Sequence, residues 1–310
     1  MRNAFVNTLY GLCKNDKNTF LITGDLGFGV LTKFWETYPD QFMNAGISEQ
    51  NMTSVATGMA LEGKKVFTYS IANFPTLRCL EQIRNDVAYH DANVKIVSIG
   101  AGFAYGAAGM SHHATEDLAI IRAIPNMVVF SPADPLEASA VTKAAYSLDT
   151  PCYIRLGKGG EDTIHSESFD FAIGKAVKIA DGEDVCIFST GSITSEALKA
   201  VKLLNQKGIT TALYTFPTIK PIDEETISSC AEKYKVIVTV EEHNILGGFG
   251  GAIAEVMASL PKRRAFLVRI GLQDTFSCVV GTQDYLRDYY QMSYEKIVQR
   301  IEATLSEAQL

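Results

Sequence analysis

Short apolar runs rich in β-branched residues recur along the chain, separated by longer stretches of helical period. Phe20-Leu-Ile-Thr23, Lys65-Val-Phe-Thr-Tyr69, Val94-Lys-Ile-Val-Ser-Ile99, Met127-Val-Val-Phe130 and Cys152-Tyr-Ile-Arg155 read as strands. Between them, Thr53–Leu61, Thr76–Tyr89, Thr115–Ala123 and Pro135–Ser147 read as helices, the last opening on a proline suited to a first turn. A second series follows. Its strands are Asp184–Ser189, Thr211–Thr215, Val236–Val240 and Phe266–Arg269, and its helices are Ser192–Lys207, Glu224–Lys233, Gly250–Leu260 and a tail from Ser293 to Leu305. Such alternation predicts an α/β chain of two three-layer α/β/α domains, each with a mainly parallel sheet.

The text from Leu156 to Phe171 is rich in Gly, Ser and acidic residues and has no apolar periodicity, so it marks the linker region. The expected division is 1–160, a linker at 161–171, and 172–310. A chain of 310 residues suits two cores, because single cores stop growing near roughly 250–300 residues. Net charge is −7 and no Lys/Arg-rich run occurs, which removes the electrostatic footprint of a nucleic-acid or anionic-membrane binder. No apolar stretch reaches the roughly 18 residues that span a bilayer, and a cytoplasmic location is expected. The six cysteines are scattered without a Cys-x-x-Cys pair, so reduced core thiols and no structural metal are expected.

Candidate chemistry begins at Asn44-Ala-Gly-Ile-Ser-Glu49-Gln-Asn51, which sets one carboxylate just ahead of a helix reading Met52 to Leu61. On spacing alone Glu49 is a first-turn residue that complements the helix dipole. Its company changes that reading. Gly24-Asp-Leu-Gly27 stands upstream, and Ile121-Arg-Ala-Ile-Pro-Asn-Met127 and Ser131-Pro-Ala-Asp134 downstream. These strings resemble the pyrimidine-binding domain of transketolases and deoxyxylulose-phosphate synthases. Thr218-Ile-Lys-Pro-Ile-Asp223, Val240-Glu-Glu-His243 and Gly247-Gly-Phe-Gly250 are similar to the family's C-terminal domain. The resemblance covers nearly the whole chain, from Arg2 to about Leu305.

The resemblance implies thiamine diphosphate as cofactor. Glu49 would then be the acid that hydrogen-bonds the aminopyrimidine ring so that the ring's own amino group can take the thiazolium proton. That role requires a partly buried carboxyl able to donate a hydrogen bond. Phe74 aligns with an aromatic that stacks on the pyrimidine, while Ile71 stands where transketolases usually carry another. His112 matches the histidine of the family's Gly-Pro-Thr-His string, which contacts substrate oxygens and helps move protons. Arg155 and Arg2 match two arginines that hold a sugar phosphate.

Several positions depart from the family's pattern. Gly29 and Gly100 fall where it carries a serine and a histidine, and Ala107-Ala108 replaces an acidic pair that reads sugar hydroxyls. The ordinary pentose phosphate is therefore not the expected substrate.

Other features have plainer readings. His113 aligns with nothing catalytic, Gly247–Gly251 reads as a tight strand-to-helix turn, and Glu241-Glu242-His243 is not a metal site because adjacent strand side chains point opposite ways. The tyrosines from Tyr285 to Tyr290 read as a surface or subunit-contact helix end.

Full transketolases precede this region with a domain that binds the cofactor diphosphate through Mg2+, marked by a Gly-Asp-Gly string that this sequence does not contain. The resemblance is thus to the C-terminal subunit of a split transketolase. It implies an N-terminal partner subunit carrying the diphosphate and Mg2+ site, an α2β2 assembly, and transfer of a two-carbon ketol unit from a ketose to an aldehyde or aldose. The β subunit of a 2-oxoacid dehydrogenase, which can show a Ser-Glu-Gln string, and a non-catalytic scaffold or regulatory subunit are the alternatives. Deoxyxylulose-phosphate synthase is disfavoured because it holds all three domains in one chain.

Overall fold

The strand runs pair into two mainly parallel sheets. The computed structural model describes residues 1–165 and 169–307. The first sheet uses β1 (Thr19–Thr23), β2 (Phe42–Asn44), β3 (Lys65–Ile71), β4 (Val94–Ile99), β5 (Val128–Phe130) and β6 (Cys152–Leu156). The second uses β7 (Val177–Ala180), β8 (Val185–Ser189), β9 (Thr211–Thr215), β11 (Val236–Asn244) and β12 (Phe266–Leu272). β10 (Thr218–Lys220) leaves its own half of the chain and pairs antiparallel with β5, so the strand order is β10-β5-β6-β4-β3-β1-β2 in the first sheet and β12-β11-β8-β9-β7 in the second. β7 pairs antiparallel with β9, and the other pairings are parallel.

Helices α1 (Arg2–Cys13), α2 (Thr32–Thr37), α3 (Glu49–Leu61), α4 (Leu80–Gln82), α5 (Asp117–Arg122) and α6 (Pro135–Ser147) flank the first sheet. The second is flanked by α7 (Thr194–Gln206), α8 (Glu224–Lys233), α9 (Phe249–Ser259), α10 (Gln283–Tyr289) and α11 (Tyr294–Glu307). The central strands are buried on both faces, which explains their near-continuous apolar text: all six residues of β4 are buried. Lys95 is the exception within it. Its ammonium reaches out of the sheet to the carbonyls of Leu148 and Thr150, while burial pushes its pKa down.

Two expectations shift. α3 begins at Glu49, not after it, so the carboxylate belongs to the helix's first turn. The helix expected over Thr76–Tyr89 is wound unevenly, with a 310 turn at Leu77–Cys79, one α turn in α4, and π winding over Ile83–Ala88. Such winding is uncommon and often accompanies functional sites. Part of the expected linker, residues 166–168, lies outside the described residues.

One set of packed, buried side chains runs through both halves, joining Ile22, Val94 and Ile96 to Phe188, Phe216 and Phe249. Polar clamps reinforce the junction. Glu242 accepts from the backbone N–H of Phe103 at 2.5 Å, from Gln283 Nε2 at 2.8 Å and from Arg287 Nε at 2.5 Å. Glu241 accepts from the N–H groups of Phe249 and Gly250, capping α9.

Glu241-Glu242-His243 is therefore a structural knot, and among the described residues no three His, Cys, Asp or Glu side chains gather as metal ligands. Five of the six cysteines are buried free thiols, whereas Cys278 is exposed and departs from the core reading. No described helix is long and apolar enough to cross a membrane.

Candidate active site

The carboxyl ends of parallel strands are where α/β sheets place ligands, because the loops that leave them converge there. In the first sheet these are the loops after β1, β2, β3, β4 and β6, and they carry most of the sequence's candidate residues. Asn44, at the end of β2, fastens two of them: its Oδ1 accepts from the N–H groups of Asp25 and Gly46, and its Nδ2 donates to Asp25 Oδ1. That brace holds the Gly24-Asp25 turn beside α3. A Cβ at Gly24 would lie 3.4 Å from Glu49 Cγ, so this turn stands directly against the Glu49 side chain.

Glu49 is 3% exposed. Its Oε2 accepts from Arg78 Nη1 at 2.9 Å, and the same guanidinium lies 4.5 Å from the centroid of the Phe74 ring. Phe74 follows the turn after β3, where Ala72 adopts φ 39 and its carbonyl accepts from both Ser98 and Thr76 hydroxyls. Ile71, the last residue of β3, is half-buried and precedes this turn. Asn73 Nδ2 donates to the His113 carbonyl at 2.7 Å, tying the Phe74 loop to the loop after β4. As a result His112 meets Phe74 edge-on at 5.2 Å between ring centroids. Its Nδ1 is 3.0 Å from Ser111 Oγ.

Beyond His112 stands Tyr105, ring centroids 6.3 Å apart, and the Lys158 ammonium is 5.6 Å from the Tyr105 centroid. Arg2 lies beside the Tyr105 phenol, whose pKa rises from burial first and is drawn back by the arginine's charge. The surface therefore carries one continuous stripe: Glu49, Arg78, Phe74, His112, Tyr105, and then Arg2 with Lys158. An acid and an aromatic face stand at one end and two cations at the other.

Arg155 is not on this stripe. Although at the end of β6, its side chain is 2% exposed, with Nε donating to Asp117 Oδ2 at 2.8 Å and Nη2 to the carbonyls of Ala114 and Glu242. The phosphate-binding role expected for it does not fit: its charge is neutralised by Asp117, and its donors serve the junction between the two halves. The structure also gives a reason for Gly100. With φ 102, a Cβ there would lie 2.3 Å from the Tyr105 ring, so the phenol fills the space a side chain would take. Gly29 sits in open surroundings, and Ala107 and Ala108 expose only methyl groups on a 310 turn.

His113 is buried with Nε2 near the Gly106 carbonyl, packed against Phe103. Of the tyrosine cluster, Tyr285 and Tyr289 are exposed, whereas Tyr290 stacks on Phe103 across the junction. Sequence reading missed Arg78, Tyr105 and Lys158. The spacing of Arg78 four residues after Phe74 was the one available signal, and the irregular winding of that stretch obscured it.

A buried carboxyl and an aromatic face, both touching the Arg78 guanidinium, are groups that would hold a flat nitrogen heterocycle such as the aminopyrimidine of thiamine diphosphate. Clefts of about 800 Å3 beside Arg122 and Glu255 and about 470 Å3 beside Lys158 and Arg287 are lined by neither Glu49 nor Phe74. Phe28, Ile47, Leu77 and Met110, on the loops around Glu49 and Phe74, are exposed apolar side chains.

Residues 1–160 match the transketolase pyrimidine binding domain, and residues 174–297 match the transketolase C-terminal domain. A protein of Methanocaldococcus jannaschii provisionally described as a transketolase C-terminal section is 41% identical over 97% of this chain and 95% of its own length. One of the subunits of the apulose-4-phosphate transketolase of Phocaeicola vulgatus is 36% identical over 84% of each chain. The 1-deoxy-D-xylulose-5-phosphate synthase of Halothermothrix orenii is 33% identical, but only 46% of it is covered. Among solved structures, a split gene transketolase described as an inactive beta4 tetramer superimposes with a TM-score of 0.90 at 35% identity over 98% of both chains. The chain belongs to the transketolase family, of which it carries the pyrimidine-binding and C-terminal domains.

Proposed function

We propose that this chain is the C-terminal subunit of a split, thiamine diphosphate-dependent transketolase-like enzyme that transfers a two-carbon ketol unit from a ketose to an aldehyde or aldose. The observation that carries the reading is the buried carboxyl of Glu49 at the start of α3, linked to the ring of Phe74 through the Arg78 guanidinium. Thiamine diphosphate, when bound, supplies the nucleophilic carbon that lets a ketose be cleaved beside its carbonyl. Glu49 would hold the pyrimidine ring through one hydrogen bond and steer a proton to its ring nitrogen, and Phe74 would stack on its face. His112, edge-on to Phe74, stands where a side chain can orient substrate oxygens and relay a proton. Arg2 and Lys158, beside Tyr105, offer positive charge to an anionic end of the sugar.

The second half of the site comes from an N-terminal partner. Support lies in the near-full-length likeness to relatives described as a transketolase C-terminal section, a transketolase subunit and a split gene transketolase, and in the exposed apolar side chains on the loops around Glu49 and Phe74. That partner would hold the diphosphate through Mg2+, with an α2β2 assembly and the active site at the interface. The departures at Gly100 and Ala107-Ala108 favour a sugar other than the ordinary pentose phosphate. No observation singles out the dehydrogenase reading.

Replacing Glu49 with Gln in the co-expressed complex tests this role. Turnover should fall by about 100-fold or more, the scale of a lost acid–base group, with melting temperature and assembly unchanged. Parallel loss of activity and melting temperature would return Glu49 to a structural part.

A further inference from the structure

We infer that Arg78 is a stand-in for the cofactor's aminopyrimidine: in the subunit alone its guanidinium fills the slot between Glu49 and Phe74, and cofactor entry displaces it. This rests on the cofactor reading given above.

The geometry is that of a mimic. Nη1 donates to Glu49 Oε2 at 2.9 Å while the guanidinium carbon lies 4.5 Å from the Phe74 ring centroid. A guanidinium is planar, carries N–H donors in its plane and presents a flat face to aromatic rings. An aminopyrimidine likewise combines an in-plane hydrogen-bonding edge with a stacking face. The face of Phe74 that Arg78 covers can hold only one planar group, so a ring stacked on that face displaces the guanidinium and its pairing with Glu49 Oε2.

Protonation chemistry points the same way. An arginine ion pair engages the ionised, acceptor-only carboxylate, whereas donation to a ring nitrogen needs the protonated acid. With Arg78 in place, Glu49 Oε2 is engaged as an acceptor. Departure is feasible because the Arg78 side chain is 47% exposed and Glu49 is its only ion-pair partner among the described residues. Staying paired is favoured until a replacement arrives, because a lone buried carboxylate is costly. Arg78 is thus a positioning residue. It keeps Glu49 and Phe74 in place while the slot awaits the ring, at the expense of apparent cofactor affinity.

The test is calorimetric titration of thiamine diphosphate with Mg2+ into the co-purified complex carrying wild-type chain, Arg78→Met or Arg78→Lys, with melting temperatures alongside. Arg78→Met should bind about tenfold more tightly than wild type, the factor imposed by a competitor that occupies the slot nine-tenths of the time. Arg78→Lys keeps the charge that pairs with Glu49 but loses the planar face, and should fall between them. It also guards against a fold defect in the methionine variant. Binding by both variants that is equal to or weaker than wild type overturns the assignment, since a residue that merely supported the site would lose affinity when removed. Absence of cofactor binding by wild type and variants alike overturns the cofactor reading itself and the stand-in with it.

Discussion

Glu49, Phe74 and His112 were legible as residues because each sits in a short string whose order along the chain is informative. The structure brings them onto one strip at the sheet's carboxyl edge. Arg155 was legible only as a type. A strand-end arginine can face a cleft or the neighbouring domain, and nothing local decides which, since its partners Asp117 and Glu242 lie 38 and 87 residues away. Tyr105 was hidden for the converse reason, because its importance follows from the empty position at Gly100 that its ring fills. At this scale Phe74 makes a sharp prediction. Phe74→Leu keeps apolar volume but removes the stacking face, and should weaken thiamine diphosphate binding to the complex by about 1 kcal/mol, roughly a fivefold rise in Kd by calorimetry. An unchanged Kd would place the ring elsewhere.

Among the elements, the strands and long helices followed their periodicity closely, whereas short or irregular pieces did not. β2 has three residues and β10 has three, too few to show a period of two. β10 also pairs with a strand from the other half of the chain, a long-range choice that local text does not encode. β11 is the informative case. Its Glu241 and His243 face each other 3.8 Å apart, and burial acts oppositely on them, raising the carboxyl to about 7 and lowering the imidazole to about 4. The hydrogen bonds agree with a neutral His243, which donates from Nδ1 to the Asn244 carbonyl and accepts at Nε2 from Ala119.

Between pH 6.5 and 4 the unfolded chain binds a proton at residue 243 that the folded chain does not, so this site makes stability fall as pH falls across that window. Glu241 opposes it, binding its proton in the folded state. Comparing wild type with His243→Gln cancels most of the Glu241 contribution. The stability difference between them, followed by denaturant titration, should move against wild type by on the order of 3 kcal/mol as pH drops from 6.5 to 4. A flat difference would mean that His243 titrates normally.

For the whole molecule, the two halves are joined by a shared apolar core and by polar clamps in which Arg155 is central. Arg155→Met should leave Asp117 buried without its countercharge, and removing one member of such a pair costs about 3–5 kcal/mol. The melting temperature of the chain should drop accordingly. A variant of unchanged melting temperature but raised KM for a phosphorylated substrate would restore the substrate role. The two-domain layout was visible in the alternation of elements, but the junction was not, because it is built from residues scattered between Phe103 and Arg287.

The most direct test of a site completed by a second chain is calorimetry. Thiamine diphosphate with Mg2+ is titrated into this chain alone, into the N-terminal partner alone, and into the co-purified complex. Saturable binding by the complex, with neither chain binding alone, is the expected result. Tight binding by this chain in isolation would contradict it.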